Sequence, residues 1–189
     1  GLVKIVDNYA DANQARKDLC FAEYQQGPTT HKANGCTFEE FVASDAEIYV
    51  SITTSTITRT PTMLLIVEGG VEVEELPDDK KAIVPFNPNE GLRGYHINDA
   101  LLKLGCPKPF ISPLVQQLPK LWDLYNNYGL TMIELNPIRM KKGKRPLPVA
   151  CDVKAAFDQD DPAHTRIKYP NEVFATELTD FETEINQLR

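Results

Sequence analysis

No stretch of this 189-residue chain approaches the roughly 20 consecutive apolar residues that a membrane-spanning helix needs. No charged-then-apolar leader opens it, so neither a membrane anchor nor a signal peptide is expected. Positive charge is scarce: 20 Lys and Arg stand against 27 Asp and Glu, for a net charge of −7. A chain of that sign is not expected to bind nucleic acid or an anionic membrane through bulk attraction. Cys20, Cys36, Cys106 and Cys151 form no C-x-x-C pair, and His31, His96 and His164 stand isolated. The usual sequence signatures of a zinc site and of a disulfide framework are therefore missing, and reduced thiols in the cytosol are expected.

What is present is enough for a core. Hydrophobic residues make up 42% of the chain, and its length suits one domain or two small lobes. Residues 2–6 read as a strand, and Asp7 or Asn8 as the cap of a helix carrying Ala10, Ala12, Ala15, Leu19 and Ala22. Residues 25–35 read as a loop, and residues 36–42 as a strand ending in the acidic pair Glu39-Glu40. Residues 48–58 are rich in β-branched side chains, and Arg59-Thr60-Pro61 turns them into the apolar residues 63–67 at a sheet centre. Glu68-Gly69-Gly70 follows, either as a tight turn or as a place where another backbone comes close.

Residues 82–85 read as a short strand, 87–95 as a loop, and 97–104 as a helix closed by Gly105. Leu114, Val115, Leu118, Leu121, Trp122 and Tyr125 give one apolar helix face over residues 112–128. Pro113 fits a first turn there, whereas Pro119 is interior and predicts a kink or break.

Candidate chemistry gathers around Met132-Ile133-Glu134-Leu135-Asn136-Pro137 and Val149-Ala150-Cys151-Asp152. Residues 130–135 read as a strand, so alternation puts Glu134 and Asn136 on one face while Ile133 and Leu135 go into the core. Pro137 has no amide to donate, which predicts weaker pairing just after Asn136. The run from Lys141 to Pro146 has turn composition, and residues 147–151 are apolar again. An antiparallel hairpin would thus return Asp152 beside Asn136. Three oxygen-bearing side chains on one face suit Mg²⁺, a hard cation that favours oxygen ligands and keeps substrate phosphates in its shell. A solvated hairpin face would show the same spacing.

Three segments in order, Glu68-Gly69-Gly70-Val71-Glu72-Val73-Glu74, Met132-Ile133-Glu134-Leu135-Asn136-Pro137-Ile138 and Cys151-Asp152-Val153-Lys154, resemble the β subunit of succinyl-CoA synthetase and the matching part of ATP-citrate lyase. Gly1-Leu2-Val3-Lys4, Asp45-Ala46-Glu47-Ile48-Tyr49-Val50 and Asn87-Pro88-Asn89-Glu90-Gly91-Leu92 extend the likeness from Gly1 to about Arg166. The resemblance implies an α+β ATP-grasp fold with an antiparallel or mixed sheet flanked by helices. It implies ATP or GTP with Mg²⁺ as cofactors, and a partner subunit or domain that carries a phosphohistidine and binds coenzyme A. In such enzymes the phosphoryl group passes from that histidine to a carboxylate, and coenzyme A captures the acyl phosphate.

Carried over position by position, Asn136 and Asp152 match the family's Mg²⁺ ligands. Glu40 matches the acidic hinge residue beside the nucleotide base, and Glu47 an acidic residue that opens the next strand and lines the nucleotide site. Glu134 is not a standard ligand, but its shared face makes it a supporting or second-metal candidate. Lys154 shares the Asp152 face if its strand continues, where it meets either the phosphates or a neighbouring aspartate.

The family's glycine-rich phosphate loop and a nucleotide-contacting lysine would lie just before Gly1, so the chain is expected to be the N-terminally incomplete part of an ATP-grasp domain over residues 1–166. Residues 167–189 then form a tail leading to a CoA-ligase domain outside the chain. On its own such a piece is expected to bind nucleotide weakly and to turn nothing over. The resemblance implies a cytoplasmic or mitochondrial-matrix setting. Phe110-Ile111-Ser112 with Trp122-Asp123-Leu124-Tyr125, and Glu40-Phe41-Val42, look more like the citrate enzymes, and residues 91–105 more like the succinate enzymes. Citrate is the expected acid, with succinate as the alternative. A reading of another class is a docking module that binds no nucleotide.

Overall fold

Asn8 starts the first helix, α1 (Tyr9–Leu19), as its short polar side chain predicts: Oδ1 accepts from the Asp11 amide at 2.9 Å. This computed structural model describes residues 3–26, 29–44, 46–68, 76–158, 161–163 and 184–185, and divides into two compact units, Gly1–Val42 and Ala43–Arg189. Three expectations for the first unit fail. Residues 3–6 are not in a strand, and Val3 and Ile5 lie exposed. β-branched side chains favour a strand only where a neighbouring strand completes the ladder. The expected loop at 25–35 instead contains an antiparallel hairpin, β1 (Glu23–Gln26) with β2 (Thr29–Lys32). Residues 33–42 have no regular structure, so Glu40 does not end a strand.

The second unit follows the sequence closely. β3 (Glu47–Thr54), β4 (Pro61–Ile66), β5 (Ala82–Pro85), β6 (Leu130–Lys141), β7 (Leu147–Ala150) and β8 (Val153–Phe157) form one sheet, ordered β5-β4-β3-β6-β7, with β8 also on β6. Every pairing in it is antiparallel. α2 (Gly94–Lys103), α3 (Lys108–Gln117) and α4 (Lys120–Asn127) supply the helical layer. Pro119 divides the single helix expected over residues 112–128, standing at the N-cap of α4. Pro113 lies inside α3 rather than in its opening turn, because that helix already begins at Lys108. Gly105, at φ +68°, takes the left-handed position that closes α2.

Alternation along β3, β4 and β6 directs Val50, Ile52, Met63, Leu65, Ile133 and Leu135 to one face. There they meet Ile97, Leu101, Leu114, Leu118, Leu121 and Tyr125 of the helices in a single buried cluster. Trp122 packs against it, stacked on Tyr125 and edge-on to Phe86. Gly91, at φ +73°, lies so close that a Cβ there would come within 2.7 Å of Trp122 Cδ1. No helix among the described residues is long and apolar enough to cross a membrane.

Candidate functional site

The opposite face of the sheet is the polar one. In the register of β3, Ser51 stands across from Glu134, and Glu47 across from Arg139. Residues directly opposed share a face, so Glu47, Tyr49, Ser51, Glu134 and Arg139 look the same way. Their numbering does not alternate regularly, and the reason is a bulge. Leu135 pairs with Val50 but Ile138 pairs with Ile48, so Asn136 and Pro137 together face Tyr49. One extra residue on β6 returns Ile138 and Met140 to the core and brings Arg139 to the polar side.

Pro137 therefore weakens pairing in only one direction. Towards β3 the register slips. Towards the returning arm the ladder continues: the Asn136 amide donates to the Asp152 carbonyl at 3.3 Å, and the Cys151 amide to the Pro137 carbonyl at 3.0 Å. Pro137 is used only as an acceptor, the one backbone role it retains. β7 and β8 share a single register against β6, as Ile138↔Ala150 and Leu135↔Val153 show, and Cys151-Asp152 links them. The expected hairpin is present, with residues 142–146 as its turn, and Asp152 returns opposite Asn136.

The expected site residues of the second unit have a place in this frame. Glu47 opens β3, and its Oε1 accepts from Arg139 Nε at 2.9 Å and from Nη2 at 2.5 Å. Ser44 fixes the approach to that strand, its Oγ accepting from the Met140 amide at 3.0 Å. Glu134 is half-buried and spends one oxygen on Tyr49, whose hydroxyl donates to Oε2 at 3.1 Å. Lys154 stands directly across β6 from Glu134, so its cross-strand neighbour is that carboxylate. Asn136 is half-buried and Asp152 exposed, with Asp152 Oδ1 accepting from the Val153 amide at 2.8 Å. Glu40 is exposed in the irregular end of the first unit. Of the Glu68-Gly69-Gly70 loop, Glu68 pairs with Lys80 at 2.6 Å, and Gly69 and Gly70 lie outside the described residues.

Sequence reasoning missed Tyr49 and Arg139. Tyr49 was within reach, two positions beyond Glu47 on the same strand. Arg139 was not, since strict alternation places it in the core and only the bulge restores it.

The donor set can be tested for Mg²⁺. Among the described residues no three Asp, Glu, His or Cys side chains gather as metal ligands. Mg²⁺ in phosphate-handling sites takes one or two protein oxygens and leaves the rest of its shell to phosphates and water. An amide and a carboxylate on directly bonded backbone positions fit that demand. Glu134, on the same face, suits a supporting role.

Comparison with known proteins gives the family. The ATP-grasp domain family matches residues 1–140. A succinate–CoA ligase [ADP-forming] β subunit of Persephonella marina is 31% identical over 169 residues, which are 85% of this chain and 42% of that protein. The ADP-forming sulfoacetate-CoA ligase subunit SauC of Bilophila wadsworthia is 29% identical over 173 residues, 90% of this chain and 44% of that one. Among solved structures, ATP citrate lyase from Methanothrix soehngenii, in complex with citrate and coenzyme A, aligns with a TM-score of 0.66 at 18% identity. That alignment covers 95% of this chain and 41% of the lyase. The chain thus spans about four-tenths of these proteins. With its antiparallel sheet, helical layer and matched residues, it belongs to the ATP-grasp domain family.

Proposed function

We propose that this chain is the nucleotide- and Mg²⁺-binding part of an ATP-dependent acid–CoA ligase. The observation that carries the reading is the pair of backbone hydrogen bonds seating Asp152 beside Asn136 on a rigid sheet face, in a chain of ATP-grasp descent. Asn136 Oδ1 and an Asp152 carboxylate oxygen would hold Mg²⁺, which when bound neutralises phosphate charge and aligns the γ-phosphoryl group for transfer. Glu47 lines the nucleotide side, and Arg139 keeps its carboxylate in place; the same role for Glu40, in the first unit, rests on the family likeness alone. Glu134, steadied by Tyr49, orients groups around the metal. A phosphohistidine-bearing, CoA-binding subunit or domain completes the reaction.

ATP rather than GTP is the proposed nucleotide, in keeping with the ADP-forming relatives. The proposed acid is citrate, carried by the Phe110 and Trp122 segments, with succinate as the alternative that the sequence relatives favour. Calorimetry of the chain with Mg·ATP tests the reading. A magnesium-dependent heat is expected, and Asp152→Asn should weaken binding by about 1.5–3 kcal/mol, roughly ten- to a hundredfold in Kd. No magnesium-dependent heat would leave the chain a docking module. Equal affinity in wild type and Asp152→Asn would remove the metal assignment.

A further inference from the structure

A second chemical feature lies in the first unit, apart from any use of nucleotide. Cys20 Sγ and Cys36 Sγ stand 3.5 Å apart, both half-buried and both free thiols. Their proximity is built by the hairpin. The Cys20 amide closes α1 on the Arg16 carbonyl, Phe21 turns the chain at φ 63°, and the Ala33 amide donates to the Ala22 carbonyl at 2.9 Å. Continuing the β1–β2 register one step past Glu23↔Lys32 gives Ala22 opposite Ala33, which leaves Cys20 and Cys36 flanking the open end of the hairpin. Sixteen positions of separation are thereby reduced to a single sulfur–sulfur contact.

A close dithiol suits either a soft metal or a disulfide. Soft-metal sites in proteins commonly recruit a third or fourth ligand. Among the described residues no third Cys, His, Asp or Glu joins these two. The choice falls on redox chemistry.

We propose that Cys20 and Cys36 form a site for reversible thiol–disulfide exchange with a low-molecular-weight disulfide, closing a covalent bridge across the base of the β1–β2 hairpin. One sulfur, as thiolate, attacks a sulfur of the small disulfide, breaking its S–S bond and releasing one small thiolate. The second protein sulfur then attacks the first, forming the Cys20–Cys36 bond and expelling the other half as a second small thiolate. The two protons lost by the cysteines are taken up by those thiolates, so two protein thiols are oxidised and one small disulfide is reduced to two thiols. Sharing a hydrogen bond with Cys20 raises the Cys36 thiol above its ordinary value. Cys106 and Cys151 give internal controls, the first buried and the second half-buried with its thiol directed to the Val149 carbonyl.

The experiment uses the reduced full chain, glutathione disulfide as the probe, rapid alkylation, and non-reducing peptide mapping by mass spectrometry. The expected product is an internal Cys20–Cys36 crosslink that dithiothreitol reverses. The neighbouring thiol acts at an effective concentration in the millimolar range, so closure should outrun capture of the mixed disulfide by other thiols, and the internal crosslink should exceed glutathione adducts on the pair roughly tenfold. Cys36→Ser should instead trap Cys20 as a stable glutathione mixed disulfide, and Cys20→Ser should trap Cys36. Separate glutathione adducts on both wild-type cysteines, with no internal crosslink, would overturn the proposal. Circular dichroism of the serine variants shows whether α1 and the hairpin persist. If the variants are unfolded, the wild-type crosslink alone decides the matter.

Discussion

The two faces of the β3–β6 sheet are made from the same strands and obey different rules. On the helical face, Val50, Ile52, Met63 and Leu65 are wholly buried, and each is replaceable in principle by another apolar side chain of like volume. On the polar face, Glu47, Glu134 and Arg139 are half-buried with side chains held by directed bonds, and the half-buried Asn136 is held through its backbone amide. The first face is specified by pattern and volume, the second by identity and position. Stability should therefore reside on one face and chemistry on the other.

The sharpest way to break that division is to truncate the core. Ile52→Ala should cost about 2–5 kcal/mol in urea unfolding, since the side chain is fully enclosed and its cavity cannot refill with water. A cost below about 1 kcal/mol would mean that the helical layer does not seal the sheet.

Next comes a pH test of the same side. Burial pushes the Cys106 thiol up to about 11 from an ordinary 9.0, because the thiolate is costly in an apolar pocket. Folding thus favours the protonated form, so its contribution is complete below pH 9 and is lost as pH rises towards 11. Stability should fall over that window by about 2 kcal/mol, and Cys106→Ala should flatten that part of the curve.

The smallest effect is expected on the polar face. A double-mutant cycle on Glu47→Gln and Arg139→Leu should give a coupling of about 1 kcal/mol, reduced by salt, because the pair is only partly buried. A coupling of several kcal/mol would show that this face also supports the fold.

The same contrast explains what could be read from sequence. Helices, sheet strands and the break at Pro119 were legible because apolar periodicity and proline act locally. The hairpin returning Asp152 to Asn136 was legible because its turn is polar and basic between two apolar runs. The bulge was not. Nothing in Asn136-Pro137-Ile138 announces that one residue will be unmatched by β3, so the approach of Arg139 to Glu47 was hidden. Residues 36–42 misled for the opposite reason: Cys36, Phe38, Phe41 and Val42 have strand composition but no strand to pair with among the described residues. β-propensity measures fit to a neighbour, and a sequence does not print its neighbours.

The bonds on either side of Pro137 have one more consequence, and it is entropic. Asn136 and Asp152 are sixteen residues apart along the chain, yet their backbones are joined by one hydrogen bond and the next positions by another. To separate the two side chains, both bonds must open together. The freedom that a pair of loop-borne ligands would surrender on capturing a cation has therefore already been surrendered during folding. For the cation proposed above, the backbone spacing of its two ligands would already be set, and the cost of gathering them would fall on the fold rather than on the binding step.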